Sequence, residues 1–225
     1  MAIKSVARAA LGICLLGCLV LAGCSESASE AVNSSDQAKR IEALRKLAKR
    51  DDDAALAKAA EATRHEDVVT AREAVRAVGR MSGDRGGPVL AGVATSDQRP
   101  EVRREAAVQL GRHRSPTRIE TLRRIVVSDA DALVRAEAAT ALGRIGQPPD
   151  AHILVDLLDK PDEDLVVQKA AVTAVERLTG LRFGYDFEAP EQERQKMHRR
   201  MHYWAVQTER LLRMREGQMQ GEGKS

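Results

Sequence analysis

Aromatic side chains make up only 2% of this 225-residue chain, and the five present, Phe183, Tyr185, Phe187, Tyr203 and Trp204, crowd into one stretch near its end. The rest must build its core from Ala, Leu, Val and Ile, small side chains that let helices approach towards the short end of the ~8–10 Å interaxial range. Aromatic platforms for nucleic-acid bases are excluded over the same length. Cysteine is nearly as scarce: Cys14, Cys18 and Cys24 all lie close to the start. The body of the protein therefore has no disulfide framework, no thiolate metal site and no cysteine nucleophile. Charge of one sign is lacking too, since 36 basic residues against 33 acidic ones leave +3. That is too little by itself for a nucleic-acid or membrane footprint. Neither a G-x-S-x-G elbow, nor a P-loop, nor a glycine-rich dinucleotide fingerprint occurs.

A membrane-spanning hydrophobic run is also missing. The uncharged stretch from Ala9 to Gly23, preceded by Lys4 and Arg8, is shorter than the ~20 residues a spanning helix needs, so residues 1–23 read as a signal peptide. Cys14 and Cys18 fall in the segment that is removed. Leu21-Ala22-Gly23-Cys24 resembles the lipobox of bacterial lipoproteins. That resemblance implies a diacylglycerol on Cys24, cleavage before it and often further acylation; one acyl chain holds a membrane marginally, two or three together hold it stably. Cleavage would leave 34 basic against 33 acidic side chains. The expected location is the cell envelope, tethered to a membrane, and Ser25 in place of a sorting aspartate favours the outer one. Residues 24–36 are small, polar and acidic, the composition of a flexible tether.

What the chain does have is a repeat. Val102–Arg112 reads V-R-R-E-A-A-V-Q-L-G-R, and thirty-two positions later Val134–Arg144 reads V-R-A-E-A-A-T-A-L-G-R, eight of eleven residues matching. Weaker copies, Thr70–Arg80 and Val167–Arg177, flank the pair. From Gln37 onwards apolar residues fall at helical spacing: Ile41, Leu44, Leu47 and Ala48 predict an N-terminal capping helix. Four helical hairpins follow, over 54–64 with 68–81, 89–95 with 101–112, 116–127 with 132–145, and 151–158 with 163–179. Pro88, Pro100 and Pro116 sit at expected first helical positions, with Ser115, Asp131, Asp150 and Asp162 as N-caps. No segment alternates with a strand's period. A fixed period of this length predicts an all-α, right-handed α-solenoid of stacked helical hairpins over 37–180, each hairpin needing its neighbours to cover its apolar surface.

The motif V-R-x-E-A-A-x-x-L-G-R, with proline or aspartate opening the helices, resembles the bacterial HEAT-like repeats first associated with phycobilisome lyases, over about Asp51–Gly180. The resemblance implies the fold; for function it implies scaffolds, adaptors and a few enzymes alike. Such repeats often ladder an acid and an arginine along the second helices, an arrangement Asp131 and Arg135 match at i,i+4. Ala71 and Gln168 stand where Arg103 and Arg135 have their arginine. The candidate interaction surface is Arg72, Arg103, Arg104, Arg135, Glu105 and Glu137, on second helices expected to offer a concave face.

Residues 181–216 resemble the closing segment of some bacterial HEAT-repeat lipoproteins, in which F-G-Y-D precedes a last helix carrying tryptophan. Phe183, Tyr185, Phe187, Tyr203 and Trp204 are expected to seal the last hairpin as a cap, or else to form a binding hot spot. Residues 217–225 read as a disordered tail. His198 and His202 share a helix face, but Arg199 and Arg200 between them oppose a metal. Carboxylate pairs lie at helix starts, where capping explains them. The expectation is therefore a lipid-anchored scaffold for an unidentified envelope protein, with no catalytic residue, cofactor, metal, nucleic acid or small-molecule substrate. The alternatives are a bilin lyase-like protein and a HEAT-like nucleic-acid binder.

Overall fold

The computed structural model describes residues 30–81, 84–160 and 162–222. Every element among them is helical, and the described chain forms two compact units divided after Met81.

In the first unit, α1 (Gln37–Arg50), α2 (Asp53–Ala62) and α3 (Val68–Arg80) pack on one another. Each starts on an aspartate that accepts otherwise unpartnered backbone N–H groups: Asp36 from Ala38, Asp52 from Ala55, Asp67 from Val69 and Thr70. Ala43, Leu44 and Leu47 of α1 meet a face of α3 that buries Ala71, Ala74, Val75 and Val78. The ordered chain starts before Gln37. Val32 is 4% exposed, and the Ser34 and Ser35 carbonyls accept from Arg40 at 2.8 and 3.1 Å, so the last part of the expected tether 24–36 is held against the first helix.

The second unit holds three hairpins and a long final helix. They are α4 (Gly87–Ser96) with α5 (Pro100–Leu110), α6 (Pro116–Ser128) with α7 (Ala132–Ile145), and α8 (Ala151–Asp156) with α9 (Leu165–Thr179). Single 3-10 turns, Pro148–Asp150 and Leu157–Asp159, flank α8. First helix α4 packs on first helix α6, while second helices form a continuous stack α5–α7–α9. Two layers of helices thus enclose an aliphatic core: Leu90, Val102, Leu110, Leu122, Val134, Leu142, Leu154, Val167 and Val175 are all fully buried. This is an α-solenoid, as the period requires.

The glycine of the L-G-R signature explains how the stack closes up. A Cβ on Gly111 would lie 2.7 Å from the Ala141 Cβ, and one on Gly143 would lie 2.7 Å from the Ala174 Cα. Each glycine therefore lets one second helix touch the alanine of the next.

Two expected caps are displaced. Asp150 is 1% exposed and does not cap α8; it accepts from the Gln147 N–H inside the 3-10 turn. Asp162 is not the cap of α9, because the helix begins at Leu165 and Asp164 accepts from Val166. Gly180, at φ +70°, ends α9 in the left-handed conformation that glycine adopts freely. The last helix, α10 (Glu191–Glu222), runs past the expected end at 216 into the expected tail, since Gln218 and Met219 favour a helix and the glycines weaken it without breaking it.

Candidate functional site

Counted from the residue that precedes α1, α3, α5, α7 and α9 (Asp36, Asp67, Arg99, Asp131, Asp164), the fourth position reads Arg40, Ala71, Arg103, Arg135, Gln168. The three arginines do the same thing in three places. Nη1 of Arg103 donates to the carbonyls of Asp97 and Gln98 at 2.9 and 3.2 Å, while Nε and Nη2 grip both oxygens of Asp129 at 2.8 Å. Nη1 of Arg135 donates to the carbonyls of Asp129 and Ala130 at 2.8 and 3.2 Å, and Nη2 reaches Glu163 at 2.6 Å. Besides the Ser34 and Ser35 carbonyls, Arg40 binds Asp67 at 3.1 Å and Thr70 at 3.0 Å. Each arginine thus ties the segment that precedes its own helix to an acid in the next interhelical loop along the chain.

This corrects the expected pairing. Arg135 is partnered by Glu163, while Asp131 caps α7 by accepting from Val134, the N-cap role expected of it. A fork of five donors satisfies two carbonyls and a carboxylate together, which an intrahelical pair would waste. α1 carries the same device: Arg40 stands at the offset that Arg103 and Arg135 occupy in their own helices. The matching offset Asp36–Arg40 was the signal in the sequence.

The electrostatics follow. Burial works against the charge on Asp129, yet hydrogen bonds from Arg103 and from the Asp131 N–H hold its carboxyl below the usual range. Arg103 is pushed up, chiefly by its bonds to Asp129. Asp67 lies far below the ordinary value, led by the hydrogen bond from the Thr70 hydroxyl and then those from Gln37 and Arg40. These acids are neutralised partners, an arrangement that supplies cohesion and no proton donor near neutral pH.

The other candidate residues spread along the second helices. Arg104 of α5 pairs with Glu137 of α7 at 2.9 Å, and Arg104 stays 47% exposed. Glu105 is buried and accepts from Gln109 at 2.9 Å, and Arg72 is half-buried on α3. A further column escaped the sequence reading as a site. The thirteenth position after each cap is Lys49, Arg80, Arg112, Arg144 or Arg177, all exposed. Among the described residues neither Arg144 nor Arg177 has an ion pair. The column is the final letter of the repeated motif.

The aromatic residues divide. Phe183 is 6% exposed, and its N–H donates to Glu176 of α9 at 2.9 Å. The rings of Tyr185 and Phe187 meet at a tilt of 51°, their centroids 4.8 Å apart. Tyr203 and Trp204 stay exposed, at 59% and 38%, while α10 seats itself through Met201 and Ala205, both fully buried. The register puts Tyr203 roughly opposite Met201, so one helix cannot bury both. His198 supports the seat, with the Val155 carbonyl at 3.3 Å and Asp159 at 3.1 Å. His202 lies 6.5 Å from the His198 ring, and no group of three or more metal-ligating side chains occurs among the described residues. A cleft of about 460 Å³ beside it is lined by Lys160, Gln168, Tyr185, Glu191, Arg194 and His198, cations and acids in near balance. Cys24 lies outside the described residues, and none of the described helices is long and apolar enough to cross a membrane.

Residues 26–107 and 88–176 match the model of HEAT repeats. The chain belongs to the HEAT-repeat family. No curated protein matches it. Among solved structures this HEAT-repeat protein is similar to the complex of CpcE and CpcF of phycocyanin lyase from Nostoc sp. PCC7120, at 23% identity and a TM-score of 0.53. That match covers 68% of this chain, which spans 64% of the lyase chain. A designed armadillo repeat protein aligns at 17% identity over 79% of this chain and 98% of its own, with a TM-score of 0.47.

Proposed function

We propose that this HEAT-repeat protein is a lipid-anchored scaffold of the bacterial cell envelope, without catalytic activity of its own, that holds a partner protein along its second helices. The observation that carries the reading is the division of labour among the charges of the second unit. Arg103 and Arg135 are consumed in holding repeat to repeat. Arg112, just past the end of α5, Arg144 of α7 and Arg177 of α9 face solvent. Regularly spaced exposed cations suit an acidic segment of a partner, and a stack that spends its acids on internal pairs suits a rigid support. The anchor rests on Leu21-Ala22-Gly23-Cys24 and its likeness to a lipobox.

Photo-crosslinking in living cells tests the scaffold. A crosslinker at Arg144 or at Thr173, both exposed on second helices, should capture one and the same envelope protein, while a crosslinker at exposed Glu120 on α6 should not. Capture of the same set from all three positions would refute the assignment of the surface. Fatty-acid labelling lost in Cys24→Ala supports the anchor, and labelling that persists removes it. A chromophore-handling role is the second reading, supported by the fold likeness to the lyase chain alone; an absorbance shift on adding a bilin would favour it.

A further inference from the structure

The outward side of α10 carries an order that packing does not require. Lys196, Arg199, Tyr203, Val206, Arg210 and Met214 follow one another at steps of three and four residues. At 3.6 residues per turn they fall within an arc of about 80°, on the side of the helix away from Met201 and Ala205. All six are exposed, with Tyr203 at 59%, Val206 at 38% and Met214 at 57%. The described acids of the helix, Glu191 and Glu193, lie off this stripe by register, and Glu191 is occupied with Arg194. Arg200, also exposed, borders the arc.

A merely wet helix face needs no valine, methionine or tyrosine, and an exposed arc that carries them beside cations suits a bilayer interface, where apolar groups enter the acyl boundary and cations meet the headgroups. The geometry points to α10 as a docking helix for the surface of an anionic lipid bilayer. In that seat the three apolar side chains enter the acyl boundary, and Lys196, Arg199 and Arg210 extend along them to the phosphates. A second copy of the chain is the poorer occupant, because two such stripes would set three cations against three. Duplex nucleic acid would use the cations and leave Val206 and Met214 without a role. The proposal goes beyond the scaffold reading and does not need Cys24 to be acylated.

Trp204 is the single tryptophan of the chain and its ring lies 6.1 Å from that of Tyr203 on the stripe, so its fluorescence reports on this helix whatever the N-terminus does. The full chain carrying Cys24→Ser is titrated with vesicles of phosphatidylcholine alone or mixed with phosphatidylglycerol. In mixed vesicles the Trp204 emission shifts to the blue and is quenched by brominated acyl chains; in phosphatidylcholine alone it does neither. Lys196→Glu/Arg199→Glu/Arg210→Glu weakens the response by about a hundredfold. Tyr203→Ser/Val206→Ser keeps salt-sensitive vesicle binding and loses the quenching. Because all five residues are exposed, unchanged helicity in each variant shows that the fold persists. An equal response on neutral vesicles, or an unchanged response in the triple variant, overturns the proposal. So does a shift that follows protein concentration without lipid, which would reveal self-association, or one produced by an acidic polypeptide or duplex DNA and not by vesicles.

Discussion

Gly143 shows at the scale of one residue why the repeat has the letters it has. An alanine there would gain roughly 1 kcal/mol of helix propensity, yet its Cβ would meet the backbone of Ala174 at 2.7 Å. Backbone cannot swing aside as a side chain can, so overpacking wins, and Gly143→Ala should lower stability by about 1–3 kcal/mol in thermal unfolding. Gly111→Ala should cost a similar amount, because the Ala141 Cβ at 2.7 Å is fixed to its own backbone, whose Cα lies 3.1 Å away; no loss at either position would show that the second helices do not touch there. Arg103 is a second such position. Removing it leaves Asp129, with a side chain 7% exposed, buried and charged, so Arg103→Ala should cost about 3 kcal/mol. Lysine should recover only part, since a point charge cannot serve a bidentate carboxylate and two carbonyls at once. The recurrence of these arginines was legible in the repeat, whereas their partners were not. Asp131 stands four residues before Arg135, but Glu163 is 28 residues away, and only the stacking of hairpins brings it near.

At the scale of elements the helices were readable because small apolar residues recur at helical spacing and because proline and serine punctuate them. Where two acids compete for one end, sequence alone does not choose. Asp162 and Asp164 both precede α9, and the helix starts after the second; Asp150 looked like a cap and is instead buried against Arg123 at 2.5 Å. The N-cap role of Asp131 yields a test. As an N-cap it should lose about 1 kcal/mol on mutation to Ala and only a few tenths on mutation to Asn, which still accepts from Val134, and neither loss should depend on salt. A pair with Arg135 would predict the reverse: Asn as damaging as Ala, and both effects fading as salt rises. In α10 the pattern misled for a different reason. Tyr203 and Trp204 look like core because aromatics are so rare in this chain, while the residues that do the seating, Met201 and Ala205, look ordinary.

For the whole molecule, the carboxylates that join repeat to repeat set how it responds to acid. Burial opposes the charge on Asp129 and Glu73, but arginine hydrogen bonds prevail and both sit below their ordinary values, as does Asp67. A folded-state value below the unfolded one means that the unfolded chain binds more protons near pH 4. The stability these groups add is therefore complete above that pH and drains away as pH falls through the folded values. Chemical denaturation between pH 7 and pH 3 should show a steep decline beginning near pH 4, and Asp129→Asn should flatten it. The same linkages decide what happens when a repeat is taken out. α7 is flanked by α5 and α9, to which it is joined by the Gly111–Ala141 and Gly143–Ala174 contacts and by the Arg104–Glu137 and Arg135–Glu163 pairs. Excised as residues 116–145, its hairpin loses every one of these partners and exposes an Ala-rich face too small to offset the entropy of ordering thirty or so residues. Circular dichroism of that fragment should show little helix, while a fragment spanning residues 84–180 should melt cooperatively. A stably helical single hairpin would mean that the repeats are self-sufficient and that the stack contributes little beyond arrangement.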